Sequence, residues 1–189
     1  MSLGISRSDL IESYLRTLFS PAHHKAMPDP VDRAEALRRI AETLAFERLE
    51  HQEVGATERE VRDVVARVAG ATDDAAALFE QLLANGILKP QSAVRLQFPY
   101  PILQEYLAAS HLVAQYPDSL EQRIDDAIQR PWAQVIQFGL ELHPAPEPII
   151  RAMLERDDDA SCTGLRLVGR CIANGAAVRD ALREEVGDI

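Results

Sequence analysis

Two glycines in Gly-Leu-Arg-Leu-Val-Gly-Arg-Cys, Gly164 and Gly169, stand at the spacing of a phosphate-binding loop. Such a loop needs Lys and then Ser or Thr after its second glycine, to reach phosphate and hold magnesium. Arg170 and Cys171 fill those places, and the stretch has a helical pattern with no strand before it. It reads as the small-residue face of a helix, so the chain carries no P-loop of its own. His23 and His24 are adjacent, which sends their side chains apart, and no cysteine lies near them. They read as surface histidines, while His51, His111 and His143 stand singly. Asp157, Asp158 and Asp159 lack the spaced oxygen ligands and glycine of a calcium loop and read as a helix-capping turn. No serine, cysteine or histidine sits in a nucleophile signature. The expectation is a non-catalytic chain with no metal site and no cofactor held by this chain alone.

Composition narrows the field further. The 189 residues are 47% hydrophobic, enough for a real core in one large domain or two small ones. A formal net charge of −10 repels nucleic acid and anionic membrane alike. No apolar run approaches the roughly 20 residues that span a bilayer. Two cysteines, Cys162 and Cys171, are too few for a disulfide framework, and without a charged n-region followed by an apolar h-region no signal peptide is expected. A reducing cytoplasm is the expected setting. The opening Met-Ser-Leu-Gly reads as a cloning remnant, and the chain as a piece of a longer one.

Helical period dominates the elements that must position any site. Ser8 is the expected cap of a helix with Leu10, Ile11, Tyr14, Leu15 and Leu18 on its apolar side. Met27 to Pro30 reads as a linker. A long helix follows, with Ala34, Leu37, Ile40, Ala41, Leu44, Ala45 and Leu49 on one stripe. Thr57 with Glu60 predicts a capping box, Val61, Val64, Val65 and Val68 the buried face behind it, and Gly70 the end. The same grammar returns with Thr72 or Asp73 as cap, Leu78, Phe79, Leu82 and Leu83 inside, and Gly86 past the end. Then the period changes. Ile87-Leu88 and the alternating Val94 to Phe98 predict a hairpin, with Lys89 to Ala93 as its loop. Three helices and a hairpin over Asp32 to Phe98 is the element order of a winged helix.

Phe98-Pro-Tyr-Pro101 punctuates a change from strand to helix, since a proline in the first helical turn wastes no N–H. Beyond it the chain reads as short helices over Leu120–Ile128, Pro131–Leu142, Pro148–Leu154, Cys162–Ala173 and Ala177–Val186. Helix pairs of this size cannot each enclose a core and stack as a repeat. A winged helix raises the question of DNA. The third helix would be the reader, yet it opens Asp73-Asp74 and has no Lys or Arg through Asn85, and the wing offers only Lys89 and Arg95. Recognition of DNA through this helix is not expected.

"LLANGILKP" followed by "VRLQFPYPILQEYLAASHLV" resembles the end of the winged-helix domain of NACHT-type STAND NTPases. That family shows Phe-x-His-x-x-Phe-Gln-Glu-Tyr-Leu-Ala-Ala after its hairpin. Phe98, Gln104, Glu105, Tyr106, Leu107, Ala108 and Ala109 match it, with Leu103 in place of the second Phe. More loosely, Ser8–Phe19 is similar to the helical segment after the nucleotide fold, and the tail from Pro131 to the first downstream repeats. The resemblance implies an ADP- or ATP-dependent switch in a parent protein, in which the family histidine reaches the phosphates of ADP. Tyr100 occupies that position here. Its phenol can donate a hydrogen bond to phosphate but cannot become cationic at neutral pH; the other reading is an aromatic packed at the hairpin–helix corner.

The expected fold is therefore mainly α: an N-terminal helical segment and linker over 1–28, a winged-helix-like domain over 29–114, and HEAT-like repeats over 115–189. The expected function is regulatory, coupling nucleotide state to a helical sensor. The partners are the upstream nucleotide-binding domain and a protein or ligand held by the repeats, without DNA or membrane. A stand-alone helical adaptor is the alternative, and a winged-helix DNA regulator ranks below it.

Overall fold

The structure is a computed structural model that describes residues 6–19, 30–70, 74–128 and 132–187. The expected linker before Pro30, the histidine pair at 23 and 24, and the cap at Thr72 or Asp73 lie outside the described residues. The fold is mainly helical with one small antiparallel sheet. Contacts divide it into two units, 11–108 and 1–10 with 109–189, and the division falls inside two helices, α1 (Arg7–Phe19) and α5 (Pro101–Gln115).

In the first unit, α2 (Pro30–Glu50), α3 (Glu58–Ala69) and α4 (Ala75–Ala84) pack on one another. Leu37, Ile40, Ala41, Leu44, Ala45 and Leu49 of α2 are buried, as its stripe predicts. The capping box at α3 forms as expected: the Glu60 N–H donates to Thr57 Oγ1 at 3.3 Å, and the Thr57 N–H to Glu60 Oε2 at 2.7 Å. Asp74, one residue after the expected cap positions, caps α4 by accepting from the Ala77 N–H at 3.1 Å. Gly86 ends α4 at φ +71°, and the Leu88 N–H closes on the Leu82 carbonyl at 3.0 Å. That turn needs the left-handed region, which glycine enters without steric penalty.

The sheet differs from the expected two-stranded hairpin. Strand β1 (Gly55–Thr57) precedes α3, β2 is Lys89–Pro90 and β3 is Arg95–Gln97. The order is β1-β3-β2 with both pairings antiparallel, Ala56 opposite Leu96 and Pro90 opposite Leu96. Lys89 and Pro90 thus belong to a strand and not to the loop, and Ile87 and Leu88 are buried ahead of it. Pro90 is tolerated because β2 is an edge, where a missing N–H leaves no ladder bond unmade. Gly55 is required by its neighbour: a Cβ there would lie 2.9 Å from the Leu96 carbonyl oxygen.

The second unit contains α6 (Ser119–Gln122), a 3-10 turn (Ile124–Ile128), α7 (Trp132–Leu142), α8 (Glu147–Leu154), α9 (Thr163–Ala173) and α10 (Asp180–Gly187). Its core holds Leu112, Leu120, Val135, Ile136, Phe138, Ile150, Val168 and Leu182. The contacts run between near neighbours in sequence, α7 with α9, α8 with α9 and α9 with α10. Leu120 lies over Gly139 so closely that a Cβ there would meet its Cδ1 at 2.8 Å. Ser8, expected as the cap of α1, lies inside the helix. Ser6 is the cap: its Oγ accepts from the Asp9 N–H and its N–H donates to Asp9 Oδ2, both at 3.0 Å. Within α1, Ile11, Leu15 and Phe19 are buried, while Leu10 is 59% exposed.

Candidate functional site

The candidate site is the passage from β3 through Phe98 into α5. Pro101 opens the helix, and the Leu103 N–H donates to the Tyr100 carbonyl at 3.0 Å, closing the first turn. Phe98, Leu103, Gln104, Tyr106, Leu107, Ala108 and Ala109 are all buried, and Glu105 is half-buried. Tyr100 is different. It is 53% exposed, and its ring meets the edge of Tyr14, itself 41% exposed, with centroids 6.5 Å apart. Tyr100 is thus a partly open aromatic at the corner, with its side chain available to solvent along much of its surface.

Two side chains of the matched segment tie α5 to charged webs. Tyr106 Oη donates to Glu12 Oε2 at 3.2 Å. Glu12 accepts a two-pronged contact from Arg38, Nη1 to Oε1 at 2.6 Å and Nη2 to Oε2 at 2.9 Å, and Arg38 Nε reaches Glu42 at 2.8 Å. The fork geometry suits arginine and could not be copied by lysine. The Arg38 hydrogen bonds hold the Glu12 carboxyl below its usual range, and the Glu12 contact raises Arg38. Burial, followed by the charge of Glu12, pushes the Tyr106 phenol up. Tyr106 is therefore a neutral donor throughout the physiological range.

Gln104 serves the second web. Its Nε2 donates to the Glu53 carbonyl at 3.2 Å, just before β1. The Glu53 carboxylate accepts from Arg48 and from Arg95, each at 3.1 Å, and Arg48 also reaches Glu60 at 2.9 Å. Arg95 further donates to the Gly55 carbonyl at 2.7 Å. Hydrogen bonds from Thr57, backbone before side chain, pull the Glu60 carboxyl down to about 2. Sequence reading finds Gln104 and Tyr106 but misses Glu12, Arg38, Glu42, Arg48 and Glu53. Only the Arg38–Glu42 pair, four residues apart on one helix, leaves a local signal.

The remaining candidates resolve into local structure. Asp158 accepts from the Gly164 and Leu165 N–H groups, both at 2.9 Å, and Asp159 from the Thr163 N–H at 3.0 Å. These amides form the first turn of α9, so the acidic run is the expected capping turn, and the hydrogen bonds lower both carboxyls. The same contacts occupy the Gly164 amide, which a phosphate would otherwise need. A hollow of about 340 Å³ beside this turn is lined by Asp125, Arg156, Asp157, Asp158 and Asp159, with Arg156 paired to Asp125. His51 Nδ1 donates to the Glu47 carbonyl at 2.6 Å, and His143 Nδ1 accepts from the Ala145 N–H at 3.1 Å. Cys171 is buried, which pushes its thiol up to about 12, far from a reactive thiolate. Among the described residues, no three His, Cys, Asp or Glu side chains gather as a metal site. None of their helices is long and apolar enough to cross a membrane. No protein family matches this chain, nor does any curated protein or solved structure.

Proposed function

We propose that this chain is a non-catalytic regulatory and interaction region of a NACHT-type STAND NTPase, acting in the cytoplasm. The observation that carries the reading is the element order. Helix α2, strand β1, helices α3 and α4, then strands β2 and β3 follow one another, with β3 central in the sheet. That order supports a winged helix, and the segment matching the family's Gln-Glu-Tyr-Leu-Ala-Ala pattern leaves it directly through Pro101. The near-neighbour helix contacts after α6 support HEAT-like repeats as the start of a sensor. In this reading the region over 29–114 docks on an upstream nucleotide domain when ADP is bound and leaves it on exchange. A switch of this kind works only if the docked and free states differ in affinity for nucleotide. In this reading the contact to that domain falls to Tyr100, and its exposure at the corner supports that role. The acidic start of α4, with Asp74 as its cap, disfavours DNA.

Two measurements test the reading. The reading frame upstream of Gly4 should encode Gly-x-x-x-x-Gly-Lys-Ser/Thr within about 150–300 residues, one or two domain lengths. The separately produced nucleotide domain should then bind this chain in ADP and release it in a non-hydrolysable ATP analogue. A frame without that motif, or binding indifferent to nucleotide, would leave a stand-alone helical adaptor instead.

A further inference from the structure

Among the described residues, most arginines of the second unit are paired. Arg7 lies 3.5 Å from Glu141, Arg123 3.7 Å from Asp126, Arg151 3.2 Å from Glu147 and Arg179 2.7 Å from Glu147, while Arg156 holds Asp125. Arg183 donates to the Ile172 and Ala176 carbonyls. Two of the described arginines depart from this pattern. Arg166 and Arg170 are exposed, and among the described residues neither has a carboxylate or a carbonyl to hold. They sit four residues apart on α9, so their side chains share one face. Like charges at that spacing oppose the helix and each other, in a chain whose net charge of −10 supplies acids in excess.

The same face of α9 is shallow and open to solvent. Thr163, Arg166, Gly169, Arg170 and Ala173 line an open hollow of about 540 Å³. A Cβ added at Gly169 meets no atom within 4 Å, so a visiting backbone can approach the helix closely beside the two arginines. The geometry points to a docking site on this face of α9 for an acidic segment of a partner protein. Two carboxylates roughly 6 Å apart, the spacing of side chains four residues apart on a helix, would answer the arginine pair. Each guanidinium offers a planar fork that matches a carboxylate with two parallel hydrogen bonds. The small residues Gly169 and Ala173 make the floor, and charge complementarity selects the occupant. The site does not depend on the NTPase reading, because it rests on α9 alone.

The test uses the full chain and a fluorescein-labelled helical peptide of (Glu-Ala-Ala-Ala) repeats, with the Gln-for-Glu peptide as control. Fluorescence anisotropy should show binding of the Glu peptide only, weakening steeply as salt is added. Replacing both arginines, Arg166→Glu with Arg170→Glu, should reduce that affinity about tenfold or more. Gly169→Trp should block binding by covering this face while leaving charge untouched, with circular dichroism confirming that the fold persists. Arg39→Glu with Lys89→Glu, which removes equal charge from two exposed side chains that have no ion pair among the described residues, should leave affinity within about twofold. Equal binding of the two peptides, or an equal loss in the Arg39 and Lys89 variant, would overturn the site. These outcomes are separate from the nucleotide tests, which concern the region over 29–114.

Discussion

The two units hold buried charge in opposite ways. In 11–108 an arginine is the centre: Arg38 is gripped by Glu12 and Glu42, and Arg48 by Glu53 and Glu60. In the other unit a carboxylate is the centre. Glu141, its side chain only 1% exposed, accepts from Ser8 at 2.6 Å, Gln137 at 2.9 Å and Asn174 at 3.0 Å, with Arg7 at 3.5 Å. The Arg7 guanidinium also lies over the Phe138 ring at 4.2 Å. Arg38 keeps 30% of its side chain in solvent, so water shares the cost of its charge. Glu141 has almost no water, and neutral donors do most of the solvating. A buried ion is tolerable when hydrogen bonds replace its hydration shell, whichever sign it carries. The two webs should therefore fail differently.

The largest effect is expected at the carboxylate centre. Glu141→Ala leaves a cation and three neutral donors without their acceptor, and should cost about 3–5 kcal/mol in urea unfolding. A loss under about 1 kcal/mol would mean that water enters the space and rehydrates those donors. At the arginine centre, Arg38→Ala exposes Glu12 and Glu42 to each other but leaves them near solvent, so about 1–3 kcal/mol is expected. If Arg38→Ala proved as costly as Glu141→Ala, the contrast drawn from exposure would be wrong. Tyr106→Phe removes a single donor to a charged acceptor that retains Arg38, and should cost about 1 kcal/mol.

The smallest effect separates two acids with similarly lowered titration. Glu60 is held at about 2 by Thr57 hydrogen bonds, and Glu147 at about 2 by Arg179. Both lie below the ordinary 4.5. A carboxyl lowered in the folded state contributes stability that is complete above its unfolded value. That contribution is lost as pH falls from 4.5 through about 2. Carboxyl NMR titration should show Glu147 moving up toward 4.5 as salt is added, because its arginine partner is exposed. Glu60, held first by a backbone N–H, should move less. Equal salt shifts would assign both acids to long-range charge alone.

Legibility in the sequence tracked the range of the interactions. The capping box of Thr57 and Glu60 was readable because both partners lie within four residues, and Gly86 because one backbone conformation demands it. Strand β1 was not readable: Gly55–Thr57 is three residues long and is a strand because β3 pairs with it. Ser8 was a plausible cap by type, but Ser6 fits the turn, and Ser8 turns instead to Glu141, 133 residues away in sequence. Spacing puts Tyr14 on the apolar stripe of α1, yet it meets Tyr100 at a half-open corner. Gln104, Glu105 and Tyr106 were found through a resemblance to other chains, and neither their partners nor their burial followed from spacing.

What this sequence determined by itself is local: where helices begin and end, which stripes of α2 and α3 are buried, and which acids cap α9. Those outcomes depend on hydrogen bonds and periodicities that span one or two turns. Tertiary structure alone decided the three-stranded order of the sheet, the webs around Arg38 and Arg48, the hub at Glu141, and which arginines of the second unit are paired among the described residues. The reason is physical. A charged side chain's fate depends on which oppositely charged groups and how much water surround it, and packing of distant segments sets both.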